Sequence, residues 1–143
     1  MKTTAKRVYE TPASSDGTRV LVDRLWPRGL SKQAAAIDAW LRDLAPSDEL
    51  RKWFHAHPEQ WPAFRKRYWK ELALPEATRS LEELYRLAAK HKVTLLFASK
   101  DEEHNNAVVL RDLLNGVRKP PTGTGPASAR RVGSRQVKSM PKR

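Results

Sequence analysis

The stretch Val20–Lys32, VLVDRLWPRGLSK, decides how the chain is read. Val20, Leu21 and Val22 are consecutive, branched or bulky apolar residues, which is the pattern of a strand buried on both faces. Asp23 and Arg24 end that run abruptly. Trp26 follows, and Pro27-Arg28-Gly29 breaks the chain. Ser31 is placed to cap a helix. One segment thus carries a buried strand, a polar exit loop and the start of a helix.

A second apolar run lies some seventy residues on. Val93–Phe97 (VTLLF) has no break inside it, and SKDEEHNN, Ser99–Asn106, follows. Ser99 and Glu102 have capping-box spacing, which predicts a last helix over about Asp101–Asn115, with Ala107, Leu110, Leu113 and Leu114 inward and Gly116 as its stop. Lys6–Tyr9 reads as a short first strand, and TPASSDGT as turn chemistry.

Helices are expected between the two main strands. Ile37, Trp40, Leu41 and Leu44 have helical spacing, with Pro46 as a stop. Ser47 caps a second helix carrying Leu50, Trp53 and Phe54. Pro58 suits the first turn of a third, with Trp61, Phe64, Tyr68 and Leu72 on one side and Arg65, Lys66, Arg67 and Lys70 largely off that stripe. Pro75 opens a fourth, with Leu81, Leu84, Leu87 and Ala88 apolar. The pattern predicts an α/β fold: a small parallel sheet with a multi-helix crossover between the main strands.

The 143 residues suit one α/β domain over 1–117. The net charge of +12 is uneven: eight Lys or Arg and no acid fall in 118–143, leaving 20 basic and 16 acidic residues in 1–117. That basic tail, rich in Pro, Gly and Ser, is expected to be disordered. If all eight charges met phosphates, binding to nucleic acid would fall with salt at a log–log slope of up to about −7. A dispensable, solubilising tail is the other reading. No segment approaches the roughly 18 apolar residues of a membrane span, the N-terminus lacks a secretory apolar core, and there is no Cys. A cytoplasmic protein is expected.

In open α/β sheets ligands sit beyond the carboxyl ends of the strands. If the two main strands are neighbours, their exits bring Asp23, Arg24, Trp26, Arg28, Lys100, Asp101, His104 and Asn105 to one rim. Arg24, Arg28 and Lys100 supply positive charge, and the helix-N-terminal amides after Ser99 add to it. Trp26 offers a ring to stack on. The predicted ligand is small, anionic and nucleotide-like. His104 is the candidate acid/base, with Asp23 as a second base or as the group that orients it. The same residues have structural readings: Asp23 and Arg24 as an ion pair, Trp26 as core, Asp101, Glu102 and Glu103 as helix caps, and His104 as a helix histidine.

His55-Ala56-His57 has i, i+2 spacing at a helix end, where one ring reaching the last carbonyls is expected rather than metal binding. GxGxxG, P-loop and GxSxG patterns are absent, which argues against the familiar nucleotide-cofactor and serine-hydrolase designs and leaves any cofactor unknown.

The phrases VDRLWPRG, KWFHxxP and KDxxHNxAxVL, with RVYE, DAWLRDLAPS and QWPAFRKRY between and around them, resemble the YeaO-like bacterial family over about Lys6–Leu114. The resemblance implies a small cytosolic α/β domain. It singles out Asp23, Arg24, Trp26, Arg28 and Gly29, the Trp53–His55 segment, and Lys100, Asp101, His104 and Asn105. It implies no reaction, because the family carries no assigned function.

Overall fold

The structure, a computed structural model, describes residues 2–116. These fall into two compact units: 2–46 with 76–116, and 47–75. The expected disordered tail lies outside the described residues. No helix among them is long and apolar enough to cross a membrane.

The first unit is built on four strands: β1 (Thr4–Arg7), β2 (Thr18–Leu21), β3 (Ala39–Trp40) and β4 (Val93–Phe97). Their order is β1-β4-β2-β3 and every pair is parallel. The α/β expectation holds, and the two apolar runs are direct neighbours: Val20 pairs with Leu95 and Leu21 with Leu96. Every residue of β4 is buried, as a strand covered on both faces requires. Leu21 and Leu96 form one core cluster with Val8 and Ala35, joined by Trp26, Leu30, Ile37, Trp40 and Ala98. Val93, Leu95 and Phe97 alternate to the other side. Helix α5 (Asn106–Leu114) packs on β4 and β1, burying Ala107, Val108, Val109 and Leu110. Thr3 and Asn115 exchange two 2.9 Å hydrogen bonds between main chain and amide, which fixes the start of the chain to the end of α5.

Three sequence expectations are corrected. The segment with helical spacing at Ile37–Leu44 is the edge strand β3 followed by a 3-10 turn at Arg42–Leu44. Helix α1 (Lys32–Ala35), capped by Ser31 as expected, ends at Ala36 in a left-handed conformation, φ 50°. The chain is then drawn onto β2: the Asp38 amide donates to the Arg19 carbonyl, the Arg19 amide donates to Asp38 Oδ2, and the Leu41 amide donates to the Leu21 carbonyl. Sheet pairing overrides periodicity there. The first strand begins at Thr4, two residues before the predicted start. The last helix begins at Asn106 rather than near Asp101, because Asn105 caps it. Helix α4 (Pro75–Lys90) opens on its Pro as expected.

The amino end of the sheet is closed by charge. Asp16, 6% exposed, accepts from Lys6 Nζ at 3.0 Å, from Arg19 Nη1 at 2.5 Å and from the Ala13 amide at 3.0 Å. Arg19, 3% exposed, also donates to the carbonyls of Ala35 and Ala36. Burial pulls the Asp16 carboxyl upward, but the Ala13 amide, Lys6 and Arg19 outweigh it and hold the group below its usual range. Beside it, a Cβ on Gly17 (φ +68°) would stand 2.4 Å from the Lys92 carbonyl oxygen.

The second unit contains α2 (Asp48–Ala56) and α3 (Trp61–Leu72). Ser47 caps α2 and is itself held by Glu71, whose carboxylate accepts from the Ser47 amide at 2.7 Å and its hydroxyl at 2.6 Å. Pro58 lies in the turn before α3, not in its first turn, and Pro62 takes that place. Phe54, Trp61 and Tyr68 surround Phe64, with ring centroids 4.5–5.6 Å from it.

Two stability predictions follow from the closed end. Asp16→Ala strands the Arg19 charge and should cost about 3–5 kcal/mol in urea unfolding. Because folding depresses the Asp16 pKa, its contribution is present above the unfolded value of about 3.9 and disappears as pH falls through the folded one. Asp16→Asn should therefore flatten the acid limb of stability against pH. Gly17→Ala should cost clearly more than Gly29→Ala: Gly29 (φ +82°) has nothing within 4 Å of a Cβ and would pay only the left-handed penalty of about 1–2 kcal/mol.

Candidate functional site at the strand exits

The register of β2 against β4 carries both strands out of the sheet side by side. The Val22 amide donates to the Leu96 carbonyl, and the Val8 amide to Phe97. The next residue, Asp23, turns its carboxylate across the gap. Oδ2 accepts from the Ala98 amide at 2.9 Å, and Oδ1 accepts from Asn106 Nδ2 at 3.2 Å. Asn106 Nδ2 also donates to the Val22 carbonyl at 2.8 Å, and Trp40 Nε1 donates to the Asp23 carbonyl at 2.8 Å. Asp23 thus joins the exits of β2 and β4 to the first turn of α5 and to β3. Both oxygens of the candidate base are engaged in that bridge.

Arg24 is half-buried. One terminal nitrogen reaches the Ala45 carbonyl at 3.5 Å, a marginal distance, and its Nε is buried with no hydrogen-bond partner among the described residues. Trp26 takes its core reading: Nε1 donates to the Leu30 carbonyl at 2.7 Å, and the ring meets Trp40 edge-on at 5.5 Å. Arg28 is exposed and holds its loop through its backbone, whose carbonyl accepts from the Tyr9 hydroxyl at 2.9 Å. Neither the Arg28 guanidinium nor the exposed Lys100 makes a hydrogen bond or ion pair among the described residues.

The loop after β4 folds on Asp101. Its Oδ1 accepts from the amides of Glu103 and His104, at 2.9 and 3.0 Å, and its Oδ2 lies 3.1 Å from His104 Nδ1. Partial burial acts to raise the Asp101 pKa, but these amides and the His104 ring hold it below its usual range. The His104 side chain is 41% exposed. Asn105 is buried as the cap of α5: Oδ1 accepts from the Val108 amide and Nδ2 donates to the Asp101 carbonyl. Three of the amides after Ser99 have acceptors within the loop: those of Glu103 and His104 in Asp101, and that of Asp101 itself in Ser99 Oγ.

Three rim residues went unrecognised in the sequence. Asn106 carries the bridge with Asp23. The HNN triplet holds a signal for it, since of two adjacent Asn at a helix start only the first can cap. Arg7 donates to the carbonyls of Ser99 and Ala98 and lies 5.1 Å from the Tyr9 ring centroid. Tyr9 ties the Arg28 loop. At the other predicted location, His57 Nδ1 contacts the Trp53 carbonyl at 3.0 Å, as expected for a helix end. No group of three His, Cys, Asp or Glu able to hold a metal occurs among the described residues.

Asp23→Ala should cost about 2–3 kcal/mol, because it leaves the Ala98 amide and the Asn106 side chain unpaired. Asn106→Ala should cost less after Asp23→Ala than before it. A double-mutant cycle in urea reads that coupling, and strict additivity would refute the bridge.

Comparison with known proteins gives the rim a family context. The model of the inactive DUF488-N3 subclade matches residues 2–129. The uncharacterised protein YeaO of Escherichia coli (strain K12) is 43% identical over 117 residues, covering 82% of this chain and all of that protein. An uncharacterised protein of Mycobacterium tuberculosis (strain ATCC 25618 / H37Rv) is 43% identical over 110 residues, 77% of this chain and 91% of the relative. No solved structure gave a significant match. With most of its length matched by that family model and by relatives of nearly full coverage, the chain belongs to the YeaO-like family, within the inactive DUF488-N3 subclade.

Proposed function

We propose that this protein binds a small anionic ligand, of nucleotide-like or simple phosphate chemistry, at the exits of β2 and β4, and that binding rather than catalysis is its work. The observation that carries the reading is Arg24. A guanidinium N–H buried without an acceptor costs free energy in the unliganded protein. A phosphate or carboxylate oxygen would recover that cost in a charge-assisted bond, and the fork of Arg suits bidentate capture. Arg28 and Lys100 leave the same sheet edge without carboxylate partners and add attraction. Glu102 and Glu103 are nearby counter-charges, so capture rests on the placement of Arg24 more than on net charge.

Acid/base chemistry by Asp23 and His104 has less support than binding. Asp23 gives both oxygens to the fold. The description of the family as inactive agrees with a binding role. His104 is oriented by Asp101 at the same rim.

Thermal denaturation with orthophosphate, simple carboxylates and nucleoside monophosphates tests the proposal. A ligand at 100 times its Kd stabilises by about 2.7 kcal/mol, which for a domain of this size raises Tm by roughly 10 °C. Arg24→Met should keep the unliganded stability within about 1 kcal/mol, since it removes an unsatisfied buried donor along with one weak bond, and should abolish the response. A full response in Arg24→Met, or no response of the wild-type protein to any of these anions, overturns the proposal.

A further inference from the structure

We infer that the outer face of α3 is a second anion surface, one that takes the phosphodiester backbone of a nucleic-acid strand. Lys66, Arg67 and Lys70 are neighbours on that helix at i, i+3 and i, i+4 spacing. Like charges so placed repel each other, and none of the three is in an ion pair among the described residues. Glu71, the one acid of the same helix, has its carboxylate drawn to Ser47 by two hydrogen bonds. The helix carries four cations against that one acid.

Two arginines of α3 are also pre-positioned. The Arg67 guanidinium lies 4.0 Å from the Trp53 ring centroid, and Trp53 is in turn stacked with His57 at 5.5 Å. Stacking uses the face of the guanidinium and leaves its N–H edge for an anion, with less side-chain entropy to lose on binding. Arg65 lies 5.6 Å from the Trp61 centroid, and its Nε is buried without a hydrogen-bond partner. Lys66 and Lys70 are separated by roughly 6 Å along the helix axis. That spacing suits successive phosphates of a nucleic-acid strand better than the closer phosphates of inorganic polyphosphate. Nothing on this face reads base edges, so sequence-independent binding is expected.

The test uses the full-length chain and a fluorescein-labelled oligouridylate of about 16 nucleotides, read by anisotropy between roughly 50 and 200 mM salt. Lys66→Gln/Arg67→Gln/Lys70→Gln should lower the magnitude of the log–log salt slope by about 2, from three phosphate contacts at ~0.7 each on a single strand. A control chain with the basic residues of 118–143 changed to Gln should keep the α3-dependent part of the slope. Urea unfolding checks that the triple variant is folded. If it is not, the exposed Lys70→Gln alone carries the test, with a slope change of about 0.7. The inference is overturned if the α3 variant binds with wild-type slope and affinity, if the wild-type chain does not bind at about 50 mM salt, or if polyglutamate or inorganic polyphosphate competes as well per charge as RNA does.

Discussion

The buried contact between Arg19 and Asp16 holds the rest of the first unit in register. Arg19 lies on β2, the strand that joins the edge strand β3 to the centre of the sheet. Its guanidinium bonds Asp16, in the connection from β1, and the carbonyls of Ala35 and Ala36, at the end of α1. Asp16 also takes Lys6 from β1, and its carbonyl accepts from Thr94 of β4. One salt bridge thus fixes three strands and a helix end. A buried ion pair contributes little net stability relative to an apolar replacement, but losing one partner is costly. Its value here is placement: it sets where β2 starts, and so which of its residues reach the opposite edge.

At that opposite edge Asp23 plays the matching part. A parallel sheet opens a cleft where neighbouring strands diverge, and an Asp at the divergence point is suited either to bind a ligand or to bridge the gap. Here it bridges. With Asn106 it closes the space between the exits of β2 and β4 with hydrogen bonds from a backbone amide and a side-chain amide. Arg7 and Tyr9 do the same for the loops after β4 and β2. The rim is therefore largely self-satisfied, and Arg24 stands out against it as a buried donor lacking an acceptor.

The parts of the fold legible in the sequence were those set by local rules. VLV and VTLLF announced two buried strands, whose adjacency the structure supplied, and Ser31, Ser47 and Pro75 marked helix starts through capping and ring geometry. The missed parts depended on partners distant in the chain. Ala39–Trp40 has helical spacing and becomes a strand because β2 offers it hydrogen bonds. The start of α5 lies at Asn106 because Asn105 caps it, while the Asp101 carboxylate draws the amides of Glu103 and His104 into a loop ahead of it. Asp23 was legible as a special residue, but its role was not. A carboxylate at a strand exit looks the same in sequence whether it meets a substrate or the amides of Ala98 and Asn106.

That ambiguity bears on how a family signature is read when no activity is attached to it. VDRLWPRG and KDxxHNxAxVL are long, unusual phrases, and such phrases invite a catalytic interpretation. In this fold their members separate by physical role. Asp23, Trp26 and Asn105 have their polar groups bonded within the protein, and Asp101 orders a loop. Among the described residues, Arg28 and Lys100 have no partner for their charge, and Arg24 buries an N–H without an acceptor. Only the second group gains by meeting a ligand, since hydrogen bonds already made inside the protein would have to be broken before the first could serve one. A signature of this kind describes a rim most of whose side chains are spent on holding it together, and the proposed anion binding draws on the remainder, whose placement is fixed in advance by the rest.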